Sequence, residues 1–83
     1  MTKKELLERF EKENIPQKGI YSFDKGKWGE EFILSHPAPN VWKINYYERG
    51  EYYLLAEFQT ETEACEYFYQ RVKNYGKSFK GDR

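Results

Sequence analysis

An amphipathic pattern near the amino terminus predicts a helix. Its apolar stripe contains Leu6, Leu7 and Phe10, which fall at helical spacing among charged residues. Thr2 and Glu5 have the spacing of a capping box, in which each side chain satisfies a backbone N–H group at the start of a helix. Pro16 disfavours helical geometry at the residue before it. We therefore expect the helix to end near Asn14.

Four segments in the middle of the chain have the composition of strands. They are residues 19–23, 28–35, 41–47 and 51–58. The last two are rich in aromatic and branched residues, and a glycine-bearing turn separates them. Residues 24–27 form a predicted turn between the first two segments. Residues 36–40 form a second predicted turn, because the two prolines of this segment cannot donate ladder hydrogen bonds. This pattern predicts an antiparallel meander of three or four strands.

The turn between the last two strands decides which side chains share a face. A two-residue loop, residues 49–50, would place Glu57 on the apolar face. A three-residue loop, residues 48–50, with its glycine in a left-handed bulge position, instead gives one clean apolar face. That face contains Trp42, Ile44, Tyr46, Tyr52, Leu54, Ala56 and Phe58. We prefer this second register, which leaves Tyr47 and Tyr53 on the opposite, uncovered face.

A second helix follows the strands, because Thr60 and Glu63 repeat the capping-box spacing. Its predicted stripe contains Ala64, Tyr67, Phe68, Arg71, Val72 and Tyr75, with Tyr69 on the outer side. Both stripes need burial against the apolar face of the sheet. The sequence therefore predicts an α+β fold, an antiparallel meander of three or four strands with an N-terminal and a C-terminal helix packed on one face. Residues 1–75 are its single domain, and residues 76–83 are a loose basic tail.

Composition narrows the classes of function. The 83 residues fit one small domain, and because 19% of them are aromatic, rings must supply much of its core. Fourteen basic residues balance fourteen acidic ones, so net charge attracts neither nucleic acid nor an acidic membrane. No apolar run reaches the length of a membrane span, and the first residues lack the apolar segment of a signal peptide. We expect a cytoplasmic protein without membrane contact.

The residues that could perform catalysis or bind a metal are too few and too scattered for a site. Cys65 would need a base to become a nucleophile, and His36, the one histidine, lies in a proline-rich turn. One cysteine and one histidine cannot complete a tetrahedral metal site. Glu30 and Glu31 are neighbours in a strand, so they point to opposite faces. We expect no enzyme activity, no cofactor and no metal.

Several stretches resemble small bacterial immunity proteins of polymorphic toxin systems, including the contact-dependent inhibition type. They are residues 15–16, 21–23, 42–50 and 58–69, and the similarity covers nearly all of the chain up to about Tyr75. Its most specific parts are the turn YERG at 47–50 and the helix EACEYF at 63–68. The resemblance implies a non-enzymatic protein that binds the cognate toxin domain tightly and protects the producing cell.

Many toxins of such systems are nucleases with basic clefts, which an immunity protein can fill with carboxylates. The resemblance and the exposed tyrosines together predict a partner-binding surface. Its residues are Asp24, Glu30, Glu31, Tyr47, Glu48, Glu51, Tyr53 and Glu57. A general protein-interaction or regulatory module is the alternative. Binding of single-stranded nucleic acid ranks behind both, because the rings have more carboxylates than cations beside them. The sequence leaves a monomer and a homodimer equally open.

Overall fold

A computed structural model describes the backbone of residues 1–81 and the side chains of residues 1–75. Its elements are α1 (Lys3–Lys12), β1 (Tyr21–Phe23), β2 (Glu30–Ala38), β3 (Val41–Glu48), β4 (Glu51–Phe58) and α2 (Glu61–Gly81). The strands form one sheet in the order β1-β2-β3-β4, with antiparallel pairing from β2 to β4. Helix α2 packs against the sheet and against α1. The predicted α+β fold with two terminal helices is confirmed.

Both helices begin at the predicted capping residues. The Thr2 hydroxyl accepts a hydrogen bond from the Glu5 N–H at 3.2 Å, and the Glu5 carboxylate accepts one from the Thr2 N–H at 2.8 Å. At α2 the Thr60 hydroxyl accepts from the Glu63 N–H at 3.3 Å. In the part of the chain that the structure describes, no helix is long and apolar enough to cross a membrane.

Two elements extend by three or more residues beyond their predicted ends. Strand β2 continues to Ala38, into the segment expected to be a turn, with an irregular register after Ser35. Helix α2 continues past Tyr75 to Gly81. The loose basic tail predicted for residues 76–83 lies outside the described side chains, so it stays a prediction.

The core lies between the sheet and α2, with the buried side of α1 closing one flank. Its buried members are Leu6, Phe10, Tyr21, Phe32, Leu34, Trp42, Ile44, Ala64, Cys65, Phe68, Tyr69 and Val72. Rings from three elements meet at its centre. The Phe10 ring lies 4.6 Å from that of Tyr21 and 6.3 Å from that of Phe68, measured between centroids. Such tilted pairs add to the stabilisation from buried area, as a core rich in aromatic residues requires.

The hairpin between β3 and β4 has a two-residue loop, so the predicted three-residue loop is wrong. Glu48 pairs with Glu51, and the loop residues Arg49 and Gly50 have φ angles of 52° and 85°. Two residues with positive φ match the right-handed twist of the flanking strands, which favours this short loop.

This register exchanges two tyrosines between the faces of the sheet. Tyr53 pairs with Tyr46 on the helix side, and Tyr52 pairs with Tyr47 on the outer side. The sequence had placed Tyr52 in the core and Tyr53 on the outer face, and both assignments are wrong. Tyr53 is nevertheless exposed, because the helix side chains that the structure describes do not cover this end of the sheet.

A β-bulge keeps Glu57 off the apolar face in spite of the short loop. Leu54 and Ala56 pair with consecutive residues of β3, so Leu55 is the extra residue. Leu55 packs against the core cluster, whereas Leu54 is exposed. Beyond the bulge the alternation is reset, and Phe58 returns to the apolar side.

Strand β1 pairs with β2 in parallel, which differs from the predicted meander. Tyr21 lies opposite Phe32, and Phe23 lies opposite Leu34. The loop of residues 24–29 must therefore bring the chain back by about 13 Å along β2, at roughly 3.3 Å per residue. Parallel connections usually need a dozen or more residues. A short loop suffices here because β1 has only three residues.

The carboxylate of Glu31 holds the end of this loop. It is 1% exposed and accepts a hydrogen bond from the Ser22 hydroxyl at 2.6 Å. It also accepts from the backbone N–H groups of Lys27, Trp28 and Gly29, at 2.7, 2.9 and 3.0 Å. Three successive N–H groups aimed at one anion form a nest. The buried charge thus replaces its lost water with four protein donors, and the loop is fixed as a result.

The same loop covers part of the outer face, which was predicted to be uncovered. A Cβ atom at Gly26 would lie 2.4 Å from the Tyr47 ring, so the glycine backbone rests directly on that ring. The Gly26 N–H donates to the Tyr52 hydroxyl at 3.0 Å. Tyr47 is half-buried in consequence and is not the displayed anchor that was predicted.

Tyr69 links the two helices, although the sequence had placed it on the outer side of α2. Its side chain is buried, its hydroxyl donates to the Glu13 carboxylate, and it accepts from the Arg9 guanidinium at 3.0 Å. The hydrogen bond from Tyr69 is the main cause that lowers the pKa of Glu13, with Arg9 and Lys73 adding to it against partial desolvation. Helix α1 is therefore attached to α2 by polar as well as apolar contacts.

We expect Glu31→Gln to destabilise the fold by about 3 kcal/mol, because an amide presents an N–H group to backbone donors that need an acceptor. Glu30→Gln is the matched control, since Glu30 is the exposed neighbour on the other face and should change stability by less than about 0.5 kcal/mol. Urea denaturation followed by circular dichroism measures both. Equal midpoints for the two variants would contradict a structural role for the nest.

The Tyr69→Phe variant should raise the pKa of Glu13 towards the ordinary glutamate value, because it removes the main hydrogen bond to that carboxylate. In the native protein the lowered pKa stabilises the fold above the ordinary glutamate pKa, and this contribution is lost as pH falls through the lowered value. A carboxyl titration by NMR measures the shift. Tyr67→Phe on the same helix should leave the Glu13 pKa unchanged, and an equal shift in both variants would argue against the assignment.

Candidate functional site

The exposed apolar side chains of the sheet are concentrated on β4. Tyr52, Tyr53 and Leu54 are 51%, 48% and 57% exposed. Tyr53 points to the helix side and the other two to the outer side, since consecutive strand residues alternate. Within the described chain, β3 is the only strand beside β4, which makes β4 an edge strand. Apolar surface therefore flanks an open sheet edge on both faces.

Three carboxylates lie side by side across the hairpin end of the sheet. Glu48 is the central one, paired with Glu30 on β2 and with Glu51 on β4. We call these three residues the acidic row. Cross-strand neighbours have their Cβ atoms about 5 Å apart, and like charges directly opposite destabilise a sheet. The row therefore opposes folding.

An aromatic row lies next to the acidic row on the helix side of the sheet. It consists of Phe32, Tyr46 and Tyr53, which pair across β2, β3 and β4. Partial burial is the main cause that raises the pKa of Tyr46, and the nearby carboxylates of Glu30 and Glu48 add to it. The strand register thus sets Tyr46 and Tyr53 beside the acidic row, whereas Phe32 belongs to the core.

Tyr53 connects the two rows. Its hydroxyl donates to the Glu51 carboxylate at 3.1 Å, and this hydrogen bond is the main cause that raises the pKa of Tyr53. The contact orients the Tyr53 ring beside the acidic row at the sheet edge. Four of the predicted partner-binding residues thus come together at the hairpin end. They are Glu30, Glu48, Glu51 and Tyr53.

The other four predicted residues do not join this surface. Glu31 is buried in the nest, so its prediction as an exposed contact is wrong, and Tyr47 lies under Gly26. Asp24 is exposed after β1, at the level of Leu34, which is about 13 Å along β2 from the acidic row. Glu57 lies beyond the bulge, opposite Lys43 on the outer face.

Tyr52 and Leu54 belong to this exposed surface, although the sequence pattern predicts both in the core. Their exposure depends on the two-residue loop together with the bulge. Only the loop could be predicted from neighbouring residues in the sequence. Arg49-Gly50 is a residue pair in which the glycine readily takes positive φ. Nothing in the local pattern marks Leu55 as the bulged position.

The zero net charge conceals a separation of charges along the chain. Residues 30–58 contain five carboxylates and two cations, whereas residues 70–83 contain five cations and one carboxylate. Lys43 is half-buried on the outer face, and Arg49 lies in the hairpin loop. On the helix side, Arg71 of α2 also lies near the aromatic row, with its guanidinium carbon 5.9 Å from the centroid of the Phe32 ring. Among the described side chains at the hairpin end, carboxylates therefore outnumber cations.

The residues considered for catalysis remain apart. Cys65 is fully buried, and burial, with a contribution from Glu61, raises the pKa of its thiol to about 11. His36 instead stacks on the Trp42 ring at 3.7 Å between centroids, with its Nε2 atom 3.2 Å from the Pro39 carbonyl oxygen. Among the described residues, no group of three or more histidine, cysteine or acidic side chains could hold a metal ion.

Alkylation of Cys65 by iodoacetamide should be slow in the native protein and should accelerate by orders of magnitude in denaturant, because burial removes both access and thiolate. Thr62→Cys combined with Cys65→Ala provides an exposed thiol on the same helix as a reference. Mass spectrometry of timed samples measures both rates. Native labelling of Cys65 as fast as that of the reference would contradict this burial.

Comparisons with protein-family models, with curated proteins and with solved structures found no match to this chain.

Proposed function

We propose that this protein is a non-enzymatic immunity protein that binds and neutralises a cognate toxin domain in the bacterial cytoplasm. The observation that carries the proposal is the acidic row next to exposed rings at the hairpin end. The sequence resemblance to immunity proteins of polymorphic toxin systems points to the same class of partner. Together they describe a small protein whose exposed side chains fit recognition of another protein.

The chemistry of this surface fits a basic protein partner. Aromatic side chains provide rigid contact area at the centre of protein interfaces, and a few of them usually supply most of the binding energy. Carboxylates around them attract a cationic partner and exclude an anionic one. A nuclease cleft carries cations that bind phosphate, so the acidic row could occupy it in place of the substrate. The same charges repel nucleic acid itself.

A general protein-interaction or regulatory module is the alternative function, and it would use the same surface. The identity of the partner separates the two, because an immunity protein must rescue cells from the product of a neighbouring gene. The exposed rings and carboxylates support a binding surface. The choice of a toxin as the partner rests on the sequence resemblance alone.

Co-expression with the product of the adjacent open reading frame tests the proposal. The native chain should rescue growth and co-purify with that product. Neutralising the acidic row by Glu30→Gln, Glu48→Gln and Glu51→Gln should weaken the complex about a hundredfold, or roughly 2.7 kcal/mol. The variant should fold at least as stably as the native protein, because three mutually repelling charges are removed.

A second triple variant controls for the loss of overall charge. Glu8, Glu11 and Glu66 are exposed on the helices, so their replacement by glutamine removes the same number of charges from another surface. This control variant should rescue growth as the native chain does, and calorimetry should show an unchanged affinity for the toxin. Absence of any rescue by the native chain would reject the proposed function, and equal weakening by both triple variants would reject the acidic row as the contact.

A further inference from the structure

We propose that β4 binds an extended, lysine- or arginine-bearing segment of the partner protein as an added strand of the sheet. This inference rests on the proposed function and specifies how the partner is recognised. It concerns the open edge of β4, residues 51–58, and in particular the half next to the hairpin loop.

The two edges of the sheet differ in how well they are protected. The β1 edge is only three residues long, and the Trp28 indole N–H donates to the Tyr21 carbonyl oxygen at 3.1 Å. The β4 edge is eight residues long, and in the described part of the chain no strand lies beyond it. Proteins usually protect such an edge with lysine, proline or a covering segment. Strand β4 contains neither lysine nor proline.

Side chains on both faces of β4 provide contacts for an added strand. Tyr52 and Leu54 are exposed on the outer face, and Tyr53 is exposed on the helix side. In strand addition, main-chain hydrogen bonds supply affinity, while alternate side chains of the incoming segment meet the two faces separately. An incoming strand would therefore meet apolar surface on the outer face, and a ring beside carboxylates on the other.

Charge selects a foreign cationic strand over a second copy of this chain. The charged residues of β4 are Glu51 and Glu57, and Glu48 lies next to Glu51 on β3. Two β4 strands paired with each other would bring four carboxylates together without a cation from either strand. Opposite charges across a strand pair are favourable and like charges are unfavourable. A segment that alternates cationic with apolar residues satisfies both faces.

The bulge limits where the added strand can pair. Leu55 interrupts the regular ladder and increases the local twist, so continuous pairing along the open edge is favoured only in residues 51–54. This half contains all three exposed apolar side chains of β4 and the end of the acidic row. Glu57 lies on the other side of the interruption, and it should therefore contribute little to docking.

The test uses the full-length, 15N-labelled protein and three capped heptapeptides. The first alternates lysine with valine, the second replaces each lysine by glutamate, and the third is the lysine peptide with alternate backbone nitrogens methylated. The lysine peptide should shift the amide resonances of residues 51–54 in a saturable way. The glutamate and methylated peptides should bind at least tenfold more weakly, because they lose charge complementarity and ladder hydrogen bonds respectively.

Two charge reversals on β4 make the test specific. Glu51→Lys should weaken binding of the lysine peptide at least tenfold, whereas Glu57→Lys, beyond the bulge, should change it less than threefold. Both variants should retain the native circular dichroism spectrum, which separates lost docking from lost folding. Shifts outside β4, equal binding of the methylated peptide, or no binding would overturn the inference. Sedimentation showing self-association through β4 would identify a second copy as the occupant instead.

Failure of this inference is distinguishable from failure of the proposed function. If the native chain and Glu51→Lys rescue cells from the toxin equally well, and β4 amides exchange with solvent in the complex, edge docking is rejected while toxin neutralisation stands. If the lysine peptide binds to β4 but the native chain rescues no neighbouring gene product, edge docking stands and the immunity function is rejected.

Discussion

Burial of the Glu31 carboxylate is the constraint on which the first half of the sheet depends. A charge removed from water costs several kcal/mol unless protein donors replace the lost hydration. Here the Ser22 hydroxyl and three consecutive backbone N–H groups supply those donors, and they can do so only if residues 27–29 fold back over the start of β2. The parallel pairing of β1 with β2 accompanies this return of the chain. One side chain thus couples a loop conformation to a sheet topology.

The loop in turn decides where binding surface remains. Because Gly26 rests on the Tyr47 ring and bonds to the Tyr52 hydroxyl, part of the outer face is covered by the chain itself. On the other side, the Tyr75 ring of α2 contacts that of Phe32 at 5.4 Å between centroids. Among the side chains that the structure describes, none covers the hairpin end or the β4 edge beyond this contact. The proposed docking surface therefore lies at a corner of the sheet, where rings, carboxylates and unpaired backbone groups meet.

Features determined by short-range interactions could be predicted from the sequence, and features determined by competition between distant groups could not. The capping box at Thr2 and the hydroxyl cap at Thr60 depend on residues within one turn, and both helices begin there. The nest around Glu31 forms only because that carboxylate is removed from water, and the residue pattern of a strand does not reveal this burial. The hairpin register depended on a balance between the loop and the Leu55 bulge. The prediction for Tyr69 was wrong because its hydroxyl reaches Glu13, the residue that follows α1.

Glu30 and Glu31 are neighbours of the same residue type on one strand, yet they have opposite effects on the stability of the fold. The alternation of β2 sends Glu31 into a set of donors that stabilise its charge, and it sends Glu30 into a row of carboxylates that repel it. Like charges directly opposite one another on neighbouring strands destabilise a sheet, and a small domain has little stability to spare. A cationic partner would turn this repulsion into attraction. The proposed binding function thus accounts for the acidic row, which opposes folding, whereas folding alone accounts for its buried neighbour.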